Sequence, residues 1–286
     1  MTAARRLAHV SDLHFGRSLD NDERATCISR ALHESRVDHV VVTGDLTHRG
    51  RRRELERFHQ AFAPLREAGR LTIIPGNHDR LGDDVGEDIM PGERVQVTAT
   101  PSLYLVRINS TGPHNRSWIA GHGLLQPEDI DQAEAAVARA PEDRLVVLLL
   151  HHHLLPLPEE HAVERLSSFI GLRFTSELLR GRELLQRIQG RCDLVLHGHR
   201  HVPCELRPFD GPRPLRVFNA GSSTELGRAC IFTHAGGRLV TEPIWLDALA
   251  TRPEESPWRG RPARASLNAS PGRLHERDDG RQQLAL

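Results

Sequence analysis

Five short clusters in this chain carry side chains that bind cations or move protons. They are Asp12 and His14, Asp45, the run Gly76-Asn77-His78-Asp79, the triplet His151-His152-His153, and His199 with His201. An amide oxygen is a hard neutral ligand, a carboxylate a hard charged one, and an imidazole ligates, donates a proton or holds an anionic oxygen. Taken singly, Asp-x-His or Asn-His-Asp is an ordinary turn or helix cap. Taken together they are a mixed His, carboxylate and amide donor set with no thiolate. Such a set suits Mn²⁺, Fe²⁺/Fe³⁺, Zn²⁺ or Co²⁺ better than Mg²⁺ or Ca²⁺, which prefer oxygen alone. There are too many donors for one ion, and two ions roughly 3.5–4 Å apart, bridged by a carboxylate, would use them all.

Each cluster directly follows an apolar run. Leu7 to Val10 precedes Asp12, and Val40 to Thr43 precedes Gly44-Asp45. Leu71 to Ile74 precedes Pro75 and Gly76, Leu145 to Leu150 precedes His151, and Leu194 to Leu196 precedes His197. Short β-rich runs closed by Gly or Pro read as strands, and wholly apolar ones as strands covered on both faces. Two residues apart at a strand end, Asp12 and His14 share a side, as do His199 and His201. The carboxyl ends of strands are where open α/β sheets gather ligands.

Between the strands, residues 20–36, 51–68, 127–140 and 176–189 have helical apolar spacing, with Leu55, Phe58, Phe62 and Leu65 as the buried stripe of the second. The acidic stretch 81–94 reads as an exposed loop, and Arg51-Arg52-Arg53 as a solvated helix start. Residues 95–98 and 102–106 read as strands. Residues 109–125, with His114, Arg116, Trp118 and His122, form a loop expected to approach the site and help set specificity, the alternative being a plain surface loop. Residues 154–175 form a Pro- and Glu-containing crossing. Residues 215–219, 229–233 and 238–246 alternate as three antiparallel strands, which either finish a sheet or offer a dimer edge. From about Thr251 the chain is rich in Pro, Arg, Gly and Ser. The expected organisation is therefore one domain over 1–250 and a disordered tail over 251–286.

The 286 residues carry 38 Lys+Arg against 38 Asp+Glu, a formal net charge of zero. That argues against binding a nucleic-acid polymer, which usually needs a basic face, but leaves room for a small phosphorylated substrate. The four cysteines are far apart with no Cys-x-x-Cys and read as buried thiols. No signal peptide and no run of membrane-spanning length is evident, so a cytoplasmic protein with no membrane association is expected.

The ordered blocks Asp12-x-His14, Gly44-Asp45, Gly76-Asn77-His78-Asp79, His151 and Gly198-His199-x-His201 resemble the calcineurin-like metallophosphoesterase superfamily. The resemblance implies a four-layer α/β/β/α sandwich of two mixed sheets flanked by helices, with a dinuclear centre at the strand ends. It implies Asp12, His14 and His201 on the first metal, Asp45 bridging, and Asn77, His151 and His199 on the second. His78, paired with and oriented by Asp79, would stand beside the scissile phosphate. The implied reaction is in-line attack of a metal-bridged hydroxide on a phosphoester, with His78 stabilising or protonating the leaving oxygen.

One departure is Leu154, which stands where that family's phosphodiesterase branch carries Pro after its His run. It leaves His151 as the first choice of ligand and His152 as the alternative. The His triplet and Gly44-Asp45-Leu46-Thr47 resemble the branch that hydrolyses cyclic nucleotides or glycerophosphodiesters. A nuclease, a phosphomonoesterase or phosphoprotein phosphatase, and a non-catalytic protein-binding scaffold are the competing readings. The remaining histidines, including His9, His33, His39, His59, His161, His234 and His275, read as surface or satisfied core residues.

Overall fold

In the computed structural model the described residues are 3–155 and 178–249. The expected crossing beyond residue 155, His161, His275 and the expected tail all lie outside them. Six strands form the first sheet: β1 (Arg5–Val10), β2 (His39–Thr43), β3 (Leu71–Ile74), β10 (Arg228–Ala235), β11 (Arg238–Leu239) and β12 (Ile244–Asp247). Their order is β11-β10-β1-β2-β3, and β12 also pairs with β10. The second sheet has the order β4-β5-β6-β7-β9-β8, from β4 (Val95–Ala99), β5 (Leu103–Ile108), β6 (Leu145–Leu149), β7 (Leu194–His197), β8 (Cys204–Leu206) and β9 (Arg216–Asn219).

The layers follow from which face of each strand is apolar. Leu7, Val41, Cys230 and Phe232 of the first sheet meet Leu105, Val147, Leu149, Leu196 and Phe218 of the second in a dry seam. Ala8, Val10, Val40 and Val42 point the other way, onto α1 (Leu19–Glu34), α2 (Arg52–Ala61) and α3 (Ala63–Glu67). Val106, Val146, Leu148 and Val195 likewise cover α5 (Pro127–Ala138) and α6 (Gly181–Ile188) on the far side. Strands apolar on both faces are what such a double-covered sheet requires, and the four-layer sandwich expected from the sequence is the one observed.

Four local expectations need correction. Residues 51–68 are two helices rather than one, because Pro64 has no N–H to continue the ladder and the chain breaks at Phe62. All four stripe residues are nonetheless buried. Residues 81–94 are not simply exposed, since Leu81, Val85, Ile89 and Met90 are buried around α4 (Gly86–Ile89) while Asp83, Glu87, Asp88 and Glu93 face solvent. The three late strands do not form one antiparallel set, since the first joins the other sheet. Strand β9 runs parallel beside β7 in the second sheet, and β10 runs antiparallel to β1 in the first. The third of them is interrupted, giving β11 and β12, which both pair antiparallel with β10.

Candidate metal centre

Strands β1, β2 and β3 are mutually parallel, as are β5, β6, β7 and β9. Parallel strands deliver their carboxyl ends to one edge, and every candidate residue except Asp79 projects there. The backbone is bent to do so. Asp12, His14, Asp45 and His199 all have left-handed φ values of 54°, 49°, 50° and 70°. Asp and His tolerate that region better than most residues, yet each position still costs about 1–3 kcal/mol. Cross-links between the loops hold them: Asp12 N–H donates to Gly44 O at 3.2 Å and His14 N–H to Asp45 O at 2.9 Å. Gly44 has φ +89°, and a side chain on it would run into the His151 ring. A side chain on Gly198 would strike Ser11 and Asp12. The two glycines before the acidic and His blocks are therefore there to let the loops touch.

The donor atoms form two groups. In the first, Nε2 of His14 lies 3.3 Å from Nε2 of His201, which is 3.6 Å from Oδ1 of Asp12. In the second, Oδ1 of Asn77 lies 3.1 Å from Nε2 of His151 and 3.0 Å from Nδ1 of His199. Asp45 stands between, with Oδ2 3.7 Å from Nε2 of His14 and Oδ1 3.4 Å from Nε2 of His151. Asp12, Asp45 and His151 also bring one ligand atom each within 4.8 Å of one another.

The chemistry of this donor set fits cations. Imidazole nitrogens face one another and face an amide oxygen, an arrangement that a shared positive ion satisfies better than hydrogen bonds do. Burial pushes the His14 and His199 imidazoles well below their usual range, leaving them neutral, as ligands must be. Burial also pulls His151 down, but the Asp45 and Asp12 carboxylates and the Thr43 carbonyl lift it to about 9. A proton on His151 thus supplies the positive charge that the buried carboxylates demand, and a bound cation would displace it. Asp45, although buried, is held well below the usual carboxylate range by His151 and His78.

His151 and His152 have different partners. The Nδ1–H of His151 donates to Thr43 O at 2.7 Å, which turns Nε2 to Asp45 and Asn77. His152 instead places Nδ1 2.8 Å from Ser110 Oγ. Leu154, in the place of the proline, is buried in the core between the second sheet and its helices.

Asp79 does not pair with His78. Its carboxylate accepts from Leu46 N–H (3.2 Å), Thr47 N–H (2.8 Å), Thr47 Oγ1 (2.7 Å) and Gly76 N–H (2.8 Å). It is fully buried beneath the rim, and burial with the nearby Asp45 charge raises it to about 6. Adjacent side chains in the short 3₁₀ turn His78–Arg80 diverge, so sequence neighbourhood misleads here. His78 takes its orientation from His48, donating through Nδ1 to the His48 carbonyl at 2.8 Å, with Nε2 4.0 Å from Asp45 Oδ2.

Two participants, His48 and Glu225, escaped the sequence reading, while Trp118 lies in the loop expected to approach the site. His48 stacks on His78 at 5.7 Å and, with His14, brings a third cluster of imidazoles together. Its only signal was its place three residues after Asp45. Trp118, 59% exposed, stands edge-on 5.1 Å from the His78 ring, so the 109–125 loop does reach the site. Glu225 contacts His201 from a segment with no recognisable motif.

The calcineurin-like phosphoesterase pattern matches residues 5–203, which contain every candidate ligand. The chain belongs to the calcineurin-like phosphoesterase family. Among curated relatives of this calcineurin-like phosphoesterase is the 3',5'-cyclic adenosine monophosphate phosphodiesterase CpdA of Pseudomonas aeruginosa, 29% identical over 68% of this chain and 63% of that protein. Another is the glycerophosphodiester phosphodiesterase GpdQ of Enterobacter lignolyticus, 32% identical over 53% of this chain and 58% of that protein. The matches therefore span less than two thirds of either relative's length. In fold, the chain is similar to a purple acid phosphatase from yellow lupin (Lupinus luteus), with a TM-score of 0.60 at 14% identity over 87% of this chain and 52% of that one. Family membership makes the chain a phosphoester hydrolase with a candidate His and Asp metal site. No helix among the described residues is long and apolar enough to cross a membrane.

Proposed function

We propose that this phosphoesterase holds two metal ions and hydrolyses a small phosphodiester, of the cyclic-nucleotide or glycerophosphodiester type. The observation that carries the reading is Asp45, whose two oxygens face different donor groups, as a bridging ligand must. Asp12, His14 and His201 would hold one ion, Asn77, His151 and His199 the other. The donor set favours Mn²⁺ or Fe²⁺/Fe³⁺, with Zn²⁺ and Co²⁺ as further candidates. Bound ions would neutralise the phosphate and lower the pKa of water near neutral pH.

The chain supplies the rest. Thr43 fixes the tautomer of His151 through its carbonyl. The His48 carbonyl does the same for His78, leaving Nε2 directed at the rim, where it would give a proton to the departing alkoxide. Trp118 walls the site beside His78 and restricts what stands there. The activities named for the CpdA and GpdQ relatives are both phosphodiester hydrolysis, which favours a diester over a monoester.

The test uses metal-stripped protein reconstituted with Mn²⁺, comparing bis-p-nitrophenyl phosphate with p-nitrophenyl phosphate and counting metal by elemental analysis. Two ions per chain and faster diester turnover are expected. Monoester preference would reassign the protein as a phosphatase. The Asp45→Ala variant should empty or scramble both positions, and normal occupancy of both would remove Asp45 from the bridge.

A further inference from the structure

All candidate ligands lie at or before His201, within the family-matched residues 5–203. The structure ties two of them, Asp12 and His201, directly to a segment beyond that span, Ser222 to Glu225. Oγ of Ser222 and Oγ1 of Thr224 both donate to the backbone carbonyl of Asp12, at 3.1 and 3.3 Å. Ser223 pairs with Ser11 twice: its N–H donates to Ser11 O at 3.0 Å, and its Oγ accepts from Ser11 N–H at 3.0 Å. Arg24 of α1 clamps the same segment, donating to Thr224 O at 2.7 Å and Glu225 O at 3.0 Å.

Glu225 completes the clasp through its side chain. Oε2 lies 3.3 Å from Nδ1 of His201, and Oε1 accepts from Arg17 NH1 at 2.5 Å. Arg17 belongs to the turn that leaves His14, its N–H donating to His14 O at 3.1 Å. The ring of His201 is thus held at one nitrogen by a carboxylate while the other faces His14 and Asp12. A carboxylate on the far nitrogen fixes tautomer and ring plane and raises the basicity of the ligating nitrogen. His201 is the ligand most in need of such a hold. Its side chain is 36% exposed, against 4% for His14 and 0% for Asp12. Without a partner, an exposed imidazole on a loop samples several rotamers and loses affinity for an ion.

We propose that Glu225 is a positioning residue that sets the affinity of the Asp12, His14 and His201 group for its metal ion, with Arg17 holding the carboxylate in place. The proposal rests on the two-metal reading and concerns one of the two positions.

The experiment titrates metal-free full-length protein with Mn²⁺ by calorimetry, for wild type, Glu225→Gln, Glu225→Asp and Arg17→Met. Melting of the metal-free proteins is followed alongside. Wild type should show two binding events. Glu225→Gln should weaken one of them about 10–100-fold and leave the other unchanged. Arg17→Met should weaken the same event less, and Glu225→Asp should recover part of the loss. Wild-type affinity at both positions in Glu225→Gln overturns the proposal. So does a lowered melting temperature in metal-free Glu225→Gln with both affinities intact, which marks a purely structural role. A single event in wild type removes the two-metal reading, and Glu225→Gln then tests the proposal on that one ion, with unchanged affinity again overturning it.

Discussion

Nδ1 of His78 lies 2.8 Å from the carbonyl oxygen of His48, so the ring is pinned by backbone rather than by a carboxylate. A carbonyl accepts only, which commits the Nδ1 proton to it and leaves Nε2 as the working nitrogen. His78→Ala should therefore keep its metal content and lose turnover by about 10²–10⁴-fold, the range for a positioned proton donor. Elemental analysis beside diester kinetics checks both halves. Near-normal turnover would take His78 out of the reaction.

Asp79 has a different part. Its carboxylate satisfies three buried backbone N–H groups and the Thr47 hydroxyl, locking the loop after β2 to the loop after β3. Removing it strands those donors, at about 1–3 kcal/mol for each buried group left unpaired. Asp79→Ala should lower the denaturant midpoint sharply, with kinetic losses that follow the loss of folded protein. A variant of full stability whose rate alone collapses would restore the carboxylate to His78 and contradict the observed contacts.

Trp118 is solvent-facing for more than half its surface, with Arg49 over its ring at 6.0 Å and His78 at its edge. A large exposed aromatic beside a reacting centre offers stacking area to a substrate, worth about 1–3 kcal/mol for a nucleobase. Trp118→Ala should raise KM for a 3',5'-cyclic nucleotide roughly tenfold or more, with a smaller change in kcat, and leave glycerophosphoethanolamine hydrolysis nearly unaltered. Equal effects on both substrates would make the residue a general wall.

Several histidines outside the donor groups are buried neutral. Burial holds His39 down to about 4, burial also holds His197 near 4, and His9 is pushed well below its ordinary range by burial and then by His197. Above the ordinary value of 6.5 both folded and unfolded chains leave these rings neutral, and their contribution to stability is at its full value. As pH falls from about 6.5 toward 4, the unfolded chain takes up protons that the fold refuses, so stability declines through that window. The melting temperature of metal-free protein should fall below about pH 6.5, where these rings refuse protons, and fall again as pH rises from about 7 toward 9, where His151 gives up the proton that the fold holds. A level profile down to pH 4.5 would mean that these rings are not protected. His39→Gln, which can keep a hydrogen bond to Thr72, should soften the decline.

The strands and the rim were legible because the runs feeding them are mostly apolar, wholly so in Leu145–Leu149, and end abruptly in ligand-type side chains. The sandwich follows once both faces of those strands need cover. What stayed hidden depended on contacts that a linear reading does not contain. Alternation identified residues 215–219 and 229–233 as strands but carries no information about which sheet each joins. The acids of 81–94 masked an anchor made of Val85, Ile89 and Met90. Asp79 adjoins His78 in sequence yet serves Thr47, and Glu225 serves His201 from the far side of two intervening strands. His48 lies between motifs and becomes meaningful only when its carbonyl is seen under His78.

The pairing of β1 with β10, which sets Arg5 opposite His234, has a consequence for synthesis. A ribosome that has just released His201 has made every candidate ligand, yet β1 still lacks its neighbour on one side. Its bare edge is open to solvent and to other nascent chains. The clasp over Asp12 and His201 also waits for Ser222 to Glu225. Contacts this distant along the chain slow folding, because the loop between them must close before they contribute. Completion of the first sheet, and of the clasp over Asp12 and His201, is thereby deferred until β1 and β10 have met.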